Sequence, residues 1–182
     1  HKLPAPPASD TLRVHAVAER FPDQCGLALT ADDGPRLMAA GRRALYLSIE
    51  NGYAIGKDIT LLKTYHDLGA RFFGFVHNGN NDLADSSQPE TGPEWNGLSP
   101  LGQEAVKECN RLGFVIDGSH AADATVRQLI ARSETPIMLT NTFAVGACAT
   151  ALIRHAIAAN PDIGRTTGTV NPVVLECNDG FL

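Results

Sequence analysis

Four polar side chains close four apolar runs in this chain of 182 residues. Glu50 follows the run 44–49, His77 follows 71–76, His120 follows 114–117 across Gly118-Ser119, and Asn141 follows 137–140. Carboxylate and imidazole groups that converge make a site for a divalent metal such as zinc. A glutamate can also bridge two ions, because it has two oxygens. An imidazole can instead hold a substrate carbonyl or carboxylate. Each residue has a plain structural role open to it as well. Glu50 precedes Asn51-Gly52 and could decorate a turn, His77 could hydrogen-bond within its loop, and His120 could cap the helix that follows.

The elements that must position these groups alternate. Short strands are expected over 25–29, 44–49, 71–76, 114–117 and 137–140, and a final one within "VNPVVLECNDGFL". Helices are expected between them, at about 9–21, 30–41, 58–66, 99–112, 122–132 and 143–159. Thr30 reads as an N-cap for the second helix, with Asp32 and Asp33 in its first turn and Gly34-Pro35 awkwardly early. Ser99-Pro100 reads as a cap followed by a proline at the first helical position. Gly69 and Gly113 read as helix stops. The strands are apolar throughout rather than alternating, which is the pattern of a parallel sheet covered on both faces. Right-handed crossovers then leave a barrel or an open doubly wound sheet. In either one, ligands collect at the C-terminal ends of the strands, where Glu50, His77, His120 and Asn141 stand.

Between His77 and Ser99 runs a long polar loop, "NGNNDLADSSQPETGPEWNG". Asp82 and Asp85 in it read as turn hydrogen-bonders. His15 and His66 read as helix-surface residues. Cys25, Cys109, Cys148 and Cys177 are widely spaced without a CxxC, which favours free core thiols over a zinc ribbon or disulfide. There is no HExxH, GxSxG or P-loop.

Composition excludes other classes. Apolar residues make up 43% and charged residues 19%, as in an ordinary globular protein. A net charge of −5 with no dense Lys/Arg stretch argues against a nucleic-acid partner. No apolar run reaches the length of a transmembrane helix, and neither a signal peptide nor a hydrophobic anchor tail is visible. The expectation is a soluble chain, cytoplasmic or periplasmic, with an extended Pro-rich segment at 1–8 and one α/β domain at 9–182.

The words "SIENGYAIG", "LLKTYHDLGARFFGFVHNGNNDLADSS", "GLSPLGQEAVKECNRLGFVIDGSH" and "TPIMLT" occur in this order between about Phe21 and Thr140. Together they resemble the membrane (renal) dipeptidase family, which includes many bacterial members. The resemblance implies an amidohydrolase-like TIM barrel with two zinc ions, acting on dipeptides, including ones with a D-residue on the C-terminal side. It implies that Glu50 bridges the metals, that His120 is a ligand of the second metal, and that His77 contacts the substrate. A metal-bound hydroxide would attack the peptide carbonyl.

Several positions depart from that pattern. The family has a further histidine ligand one strand after His120, and Asn141 stands there, a weaker zinc ligand than imidazole. The family's His-x-Asp motif on its first strand has only a remnant here, His1-Lys2-Leu3-Pro4. Arg154 is near, though out of register with, the family's substrate-binding arginine. Asp179, in "NDGF", faintly echoes a late catalytic aspartate. A (β/α)8 barrel typically takes about 250 residues, so the expectation is a shortened member, a fragment or a rearranged product, with a TIM-barrel-derived and incomplete fold. Its open sheet edges would favour a homodimer. Two functions stand as alternatives: a zinc dipeptidase, or a catalytically impaired or non-enzymatic scaffold derived from the same family and acting in binding or assembly.

Overall fold

The computed structural model describes residues 8–139, together with 153–154 and 157–158. The chain divides into two compact units, His1–Ile137 and Met138–Leu182. Five helices and six short strands alternate through the described residues. They are α1 (Ala8–Arg20), β1 (Cys25–Leu27), α2 (Asp33–Ala39), β2 (Arg43–Leu45), β3 (Leu47–Ile49), α3 (Thr60–Asp67), β4 (Ala70–Gly74), α4 (Pro100–Leu112), β5 (Val115–Asp117), α5 (Asp123–Arg132) and β6 (Ile137–Met138). A single 3-10 turn, Gly52–Ala54, comes after β3.

The strands lie in two sheets, β1-β2 and β3-β4-β5-β6. Every registered pair is parallel: β1 with β2, β3 with β4, β4 with β5. This is the expected parallel α/β arrangement, with sheets that are incomplete as a barrel. The core of the first unit lies on and between β4 and β5. Phe73, Phe75, Phe114, Ile116, Leu62, Val106 and Leu129 are fully or almost fully buried there. Burying one such side chain contributes about 1.5–3 kcal/mol. Phe73 meets Phe75 edge-on at 5.2 Å between ring centroids.

The expected single strand over 44–49 is in fact two. β2 pairs with β1 and β3 pairs with β4, and the chain changes partner at Tyr46. The register also slips between Leu47 and Ser48. Tyr46 sets its ring against Phe72 at 5.8 Å instead of continuing the ladder.

Thr30 does not cap α2 with its side chain. The helix starts at Asp33, whose carboxylate accepts the N–H groups of Leu29 at 2.9 Å and Thr30 at 2.8 Å. Arg36 and those amides hold the Asp33 carboxyl far below the usual carboxylate range. Gly34 has a use early in the helix, since a Cβ there would fall 2.3 Å from the Tyr46 hydroxyl. The Ser99 cap stands as expected, accepting from the Gly102 N–H at 2.9 Å, and Gly113 closes α4 in the left-handed region.

Two histidines are less superficial than the sequence suggests. Nε2 of His15 donates to the Leu68 carbonyl at 2.7 Å. His66 lays its ring against Phe114 at 5.6 Å. Cys25 and Cys109 are buried free thiols, and burial pushes the Cys109 thiol well above its ordinary range. Among the described residues no helix is long and apolar enough to cross a membrane.

Candidate metal centre

Glu50, His77 and His120 come together past the ends of β3, β4 and β5. One ligand atom from each lies within 4.8 Å of the others. Oε1 of Glu50 is 3.4 Å from Nε2 of His77 and 3.9 Å from Nε2 of His120. The two imidazoles face each other at 4.4 Å between centroids, tilted by 53°. Glu50 is exposed, whereas His77 and His120 are half-buried, so the cluster opens to solvent on the carboxylate side.

Local chemistry explains each placement. At the end of β3, the Glu50 backbone runs so close to β4 that a Cβ on Gly74 would fall 2.5 Å from the Glu50 carbonyl oxygen. Only glycine lets the two strands close there. The turn after Glu50 is stitched to the end of β4. The Gly52 N–H and the Asn81 amide both donate to the Phe75 carbonyl, at 3.2 and 2.7 Å. Asn51 Oδ1 accepts from the Tyr53 N–H at 3.1 Å, so Asn51 caps the 3-10 turn.

His120 comes after a tight turn. Oδ1 of buried Asp117 accepts from both the N–H and the hydroxyl of Ser119, at 2.9 and 2.5 Å. His120 itself has φ +62, one of two non-glycine residues among those described with positive φ. That conformation costs on the order of 1 kcal/mol and persists where the surroundings enforce it. Here the long loop does so. The Ser87 N–H donates to the His120 carbonyl at 2.8 Å, and Ser86 bridges antiparallel to Ala121.

The loop is itself pinned. The Asp85 carboxylate, almost fully buried, accepts from the N–H groups of Glu94, Trp95 and Gly97 at 2.8–3.1 Å. Its backbone carbonyl takes the Thr125 hydroxyl at 2.8 Å and the Ala122 N–H at 3.1 Å. Asp85 thus hydrogen-bonds within its loop as expected, but as a buried hub that spans the loop and not across a single turn. Asp82 pairs with Lys57 at 3.3 Å.

One carboxylate and two imidazoles are the donor types that bind zinc-class divalent ions. Ligands about 2.0–2.1 Å from a tetrahedral ion sit roughly 3.3–3.5 Å apart. The Glu50–His77 separation falls in that range, and Glu50 and His120, at 3.9 Å, stand a few tenths of an ångström beyond it, so the donor types fit such an ion and a small side-chain shift would bring Glu50 and His120 to its ligand spacing. Asn141 and Asp179 lie outside the described residues. Arg154 is helical and exposed, in the second unit. Sequence reasoning does not reach Ser86, Asp85 or Gly74 as parts of the site. The Asp-Gly-Ser turn before His120 is the one local signal that could point to its backbone.

The model of the membrane dipeptidase family, peptidase family M19, matches residues 10–153. Dipeptidase verJ of Clonostachys rogersoniana is 33% identical over 128 residues, covering 70% of this chain and 33% of that protein. Dipeptidase aclJ of Aspergillus oryzae is 34% identical over 137 residues, covering 74% and 32%. The probable dipeptidase PvdM from Pseudomonas aeruginosa superposes with a TM-score of 0.69 at 36% identity, over 72% of this chain and 34% of that one. A metallopeptidase from Rhodobacter sphaeroides, solved with a phosphinate mimic of the dipeptide L-Ala-D-Ala, gives a TM-score of 0.64 at 25% identity, over 74% and 38%. The chain spans about a third of the length of the curated relatives it matches.

Proposed function

The chain belongs to the membrane dipeptidase family, and from that premise we propose that it carries part of a metallodipeptidase site. Glu50 and His120 hold a divalent metal, with zinc the ion best suited to the donors. His77 orients the substrate. The convergence of the three side chains within 4.8 Å is the observation that carries this reading.

When bound, the metal would lower the pKa of a coordinated water toward neutrality and polarise the scissile carbonyl. The protein's own groups do the rest. Glu50 is exposed and has two oxygens, which suits a bridge between two ions. His77, half-buried opposite His120, directs a ring nitrogen at the dipeptide carbonyl and fixes its approach. The reaction adds water across the peptide bond and releases two free amino acids. Dipeptides with a D-residue on the C-terminal side are the proposed substrates. The L-Ala-D-Ala mimic bound by the Rhodobacter sphaeroides relative supports that class. Arg154 and Asp179 remain the candidates for substrate carboxylate binding and proton transfer.

One observation favours a second reading, a family scaffold impaired in catalysis. Counted along the family resemblance, Asn141 falls where an imidazole ligand is expected, and an amide binds zinc more weakly. Zinc content by elemental analysis, with release of amino acids from L-Ala-D-Ala, tests both readings. Bound zinc that disappears in Glu50→Gln, together with turnover, supports the dipeptidase. A chain that takes up no zinc and leaves dipeptides intact sinks it. Turnover that appears only in Asn141→His identifies the impaired scaffold.

A further inference from the structure

We propose that Ser86 is a positioning residue for the two histidines of the site. Its hydroxyl, almost fully buried, lies 2.5 Å from the His77 carbonyl and 3.2 Å from the His120 carbonyl. A serine hydroxyl has one proton to give, so the two carbonyls share it, with His77 the nearer partner. The same side chain thereby links the end of β4 to the turn after β5. Those are the two backbones whose separation sets the distance between the imidazoles.

The rest of Ser86 is held from all sides. Its N–H donates to Asn80 Oδ1 at 2.9 Å, its oxygen accepts from the Gln88 N–H at 3.3 Å, and its backbone bridges to Ala121. The hydroxyl therefore has little freedom to turn elsewhere. His120 is held in the left-handed region partly by this hydroxyl and partly by the Ser87 N–H on the same carbonyl, so losing the hydroxyl loosens a conformation that is costly to keep. Without the hydroxyl, two strand ends that are bonded to different neighbours lose their direct tie, and the His77–His120 pair can widen. The consequence for metal binding rests on the metallodipeptidase reading; the positioning of the rings does not.

The test uses the full chain and Ser86→Ala, with Thr125→Val as comparison. Thr125 also donates a buried hydroxyl to a loop carbonyl, that of Asp85, but touches neither histidine carbonyl. Proton NMR of the metal-free protein reads the cross-relaxation between the His77 and His120 rings, and cobalt(II) titration reads affinity and the visible absorption band. The expected result is a ring-to-ring signal present in the native chain and in Thr125→Val but lost or strongly reduced in Ser86→Ala. Cobalt affinity in Ser86→Ala should fall at least about tenfold, as when supporting partners of metal ligands are removed. Should Ser86→Ala fail to fold, Ser86→Cys keeps a side chain of the same shape with a larger terminal atom, weakens the donor, and should move both signals the same way. An unchanged ring-to-ring signal in a folded Ser86 variant overturns the proposal, as does an equal loss in Thr125→Val. If the native chain binds no cobalt yet Ser86→Ala loses the ring contact, the positioning role stands and the metal reading falls.

Discussion

Gly74 and Glu50 meet backbone to backbone, so that a single added carbon on Gly74 would lie 2.5 Å from the Glu50 carbonyl oxygen. The candidate carboxylate therefore stands where it does because its neighbour on β4 has no side chain. Gly74→Ala should force the two strand ends apart. Overpacking of this kind costs about 1–3 kcal/mol, to be read from urea denaturation midpoints. Metal uptake should fall along with stability, because Glu50 moves. A variant of native stability would show that β3 and β4 give way freely there.

The roles proposed for the two histidines separate in one pair of variants. His120→Gln should reduce zinc affinity by more than about 100-fold, beyond the loss typical of outer partners. His77→Gln should keep its metal and show a raised KM with a lower kcat/KM toward dipeptides. Elemental analysis and steady-state kinetics on the same preparations check this. The 3.4 Å approach of His77 to Glu50 makes the alternative concrete: equal metal loss in both variants would make His77 a ligand.

Much of this site is legible in the sequence, and the reason is geometric. Glu50, His77 and His120 each end a short apolar run, and a parallel sheet brings successive strand ends to one rim. The supports are not legible. Asp85 reaches Glu94, Trp95 and Gly97, and Ser86 reaches back to His77 and on to His120, so the partners lie far apart along the chain. Periodicity also misses the break at Tyr46, because hydrophobic pattern records burial and not which strand is the partner. The left-handed φ of His120 is only weakly signalled by residue type: histidine is enriched there among non-glycine residues, but the Asp117-Gly118-Ser119 turn before it could have ended in several ways.

Asp85 gathers three loop amides on one buried carboxylate, and all would lose their partner together. Hydrogen bonds to a charged group are worth about 1.5–3 kcal/mol each, and unsatisfied buried donors add to the loss. Asp85→Ala should therefore destabilise the chain by about 3 kcal/mol or more. Limited proteolysis should show new cleavage between Ser87 and Gly97. Asp85→Asn retains the acceptor oxygen and should recover part of the loss. Native-like protease resistance in Asp85→Ala would mean that the loop is held by Trp95, through its indole N–H on the Asn81 carbonyl, instead.

His66 links the core to pH. Burial against Phe114 and the nearby positive charge of Arg71 lower its pKa below the ordinary imidazole value of about 6.5, while Asp67 opposes the shift in part. A histidine with a depressed folded pKa takes up its proton more readily when unfolded. Between the two pKa values the unfolded state holds more protons, so stability rises with pH. The contribution is complete above about 6.5 and is lost as pH falls through the lower folded value. Thermal midpoints measured from about pH 7.5 down to about pH 5 should therefore decline before the carboxylates titrate. In His66→Phe, which keeps an aromatic ring against Phe114 and cannot be protonated, that early decline should flatten. An identical slope in the two proteins would place the proton uptake elsewhere.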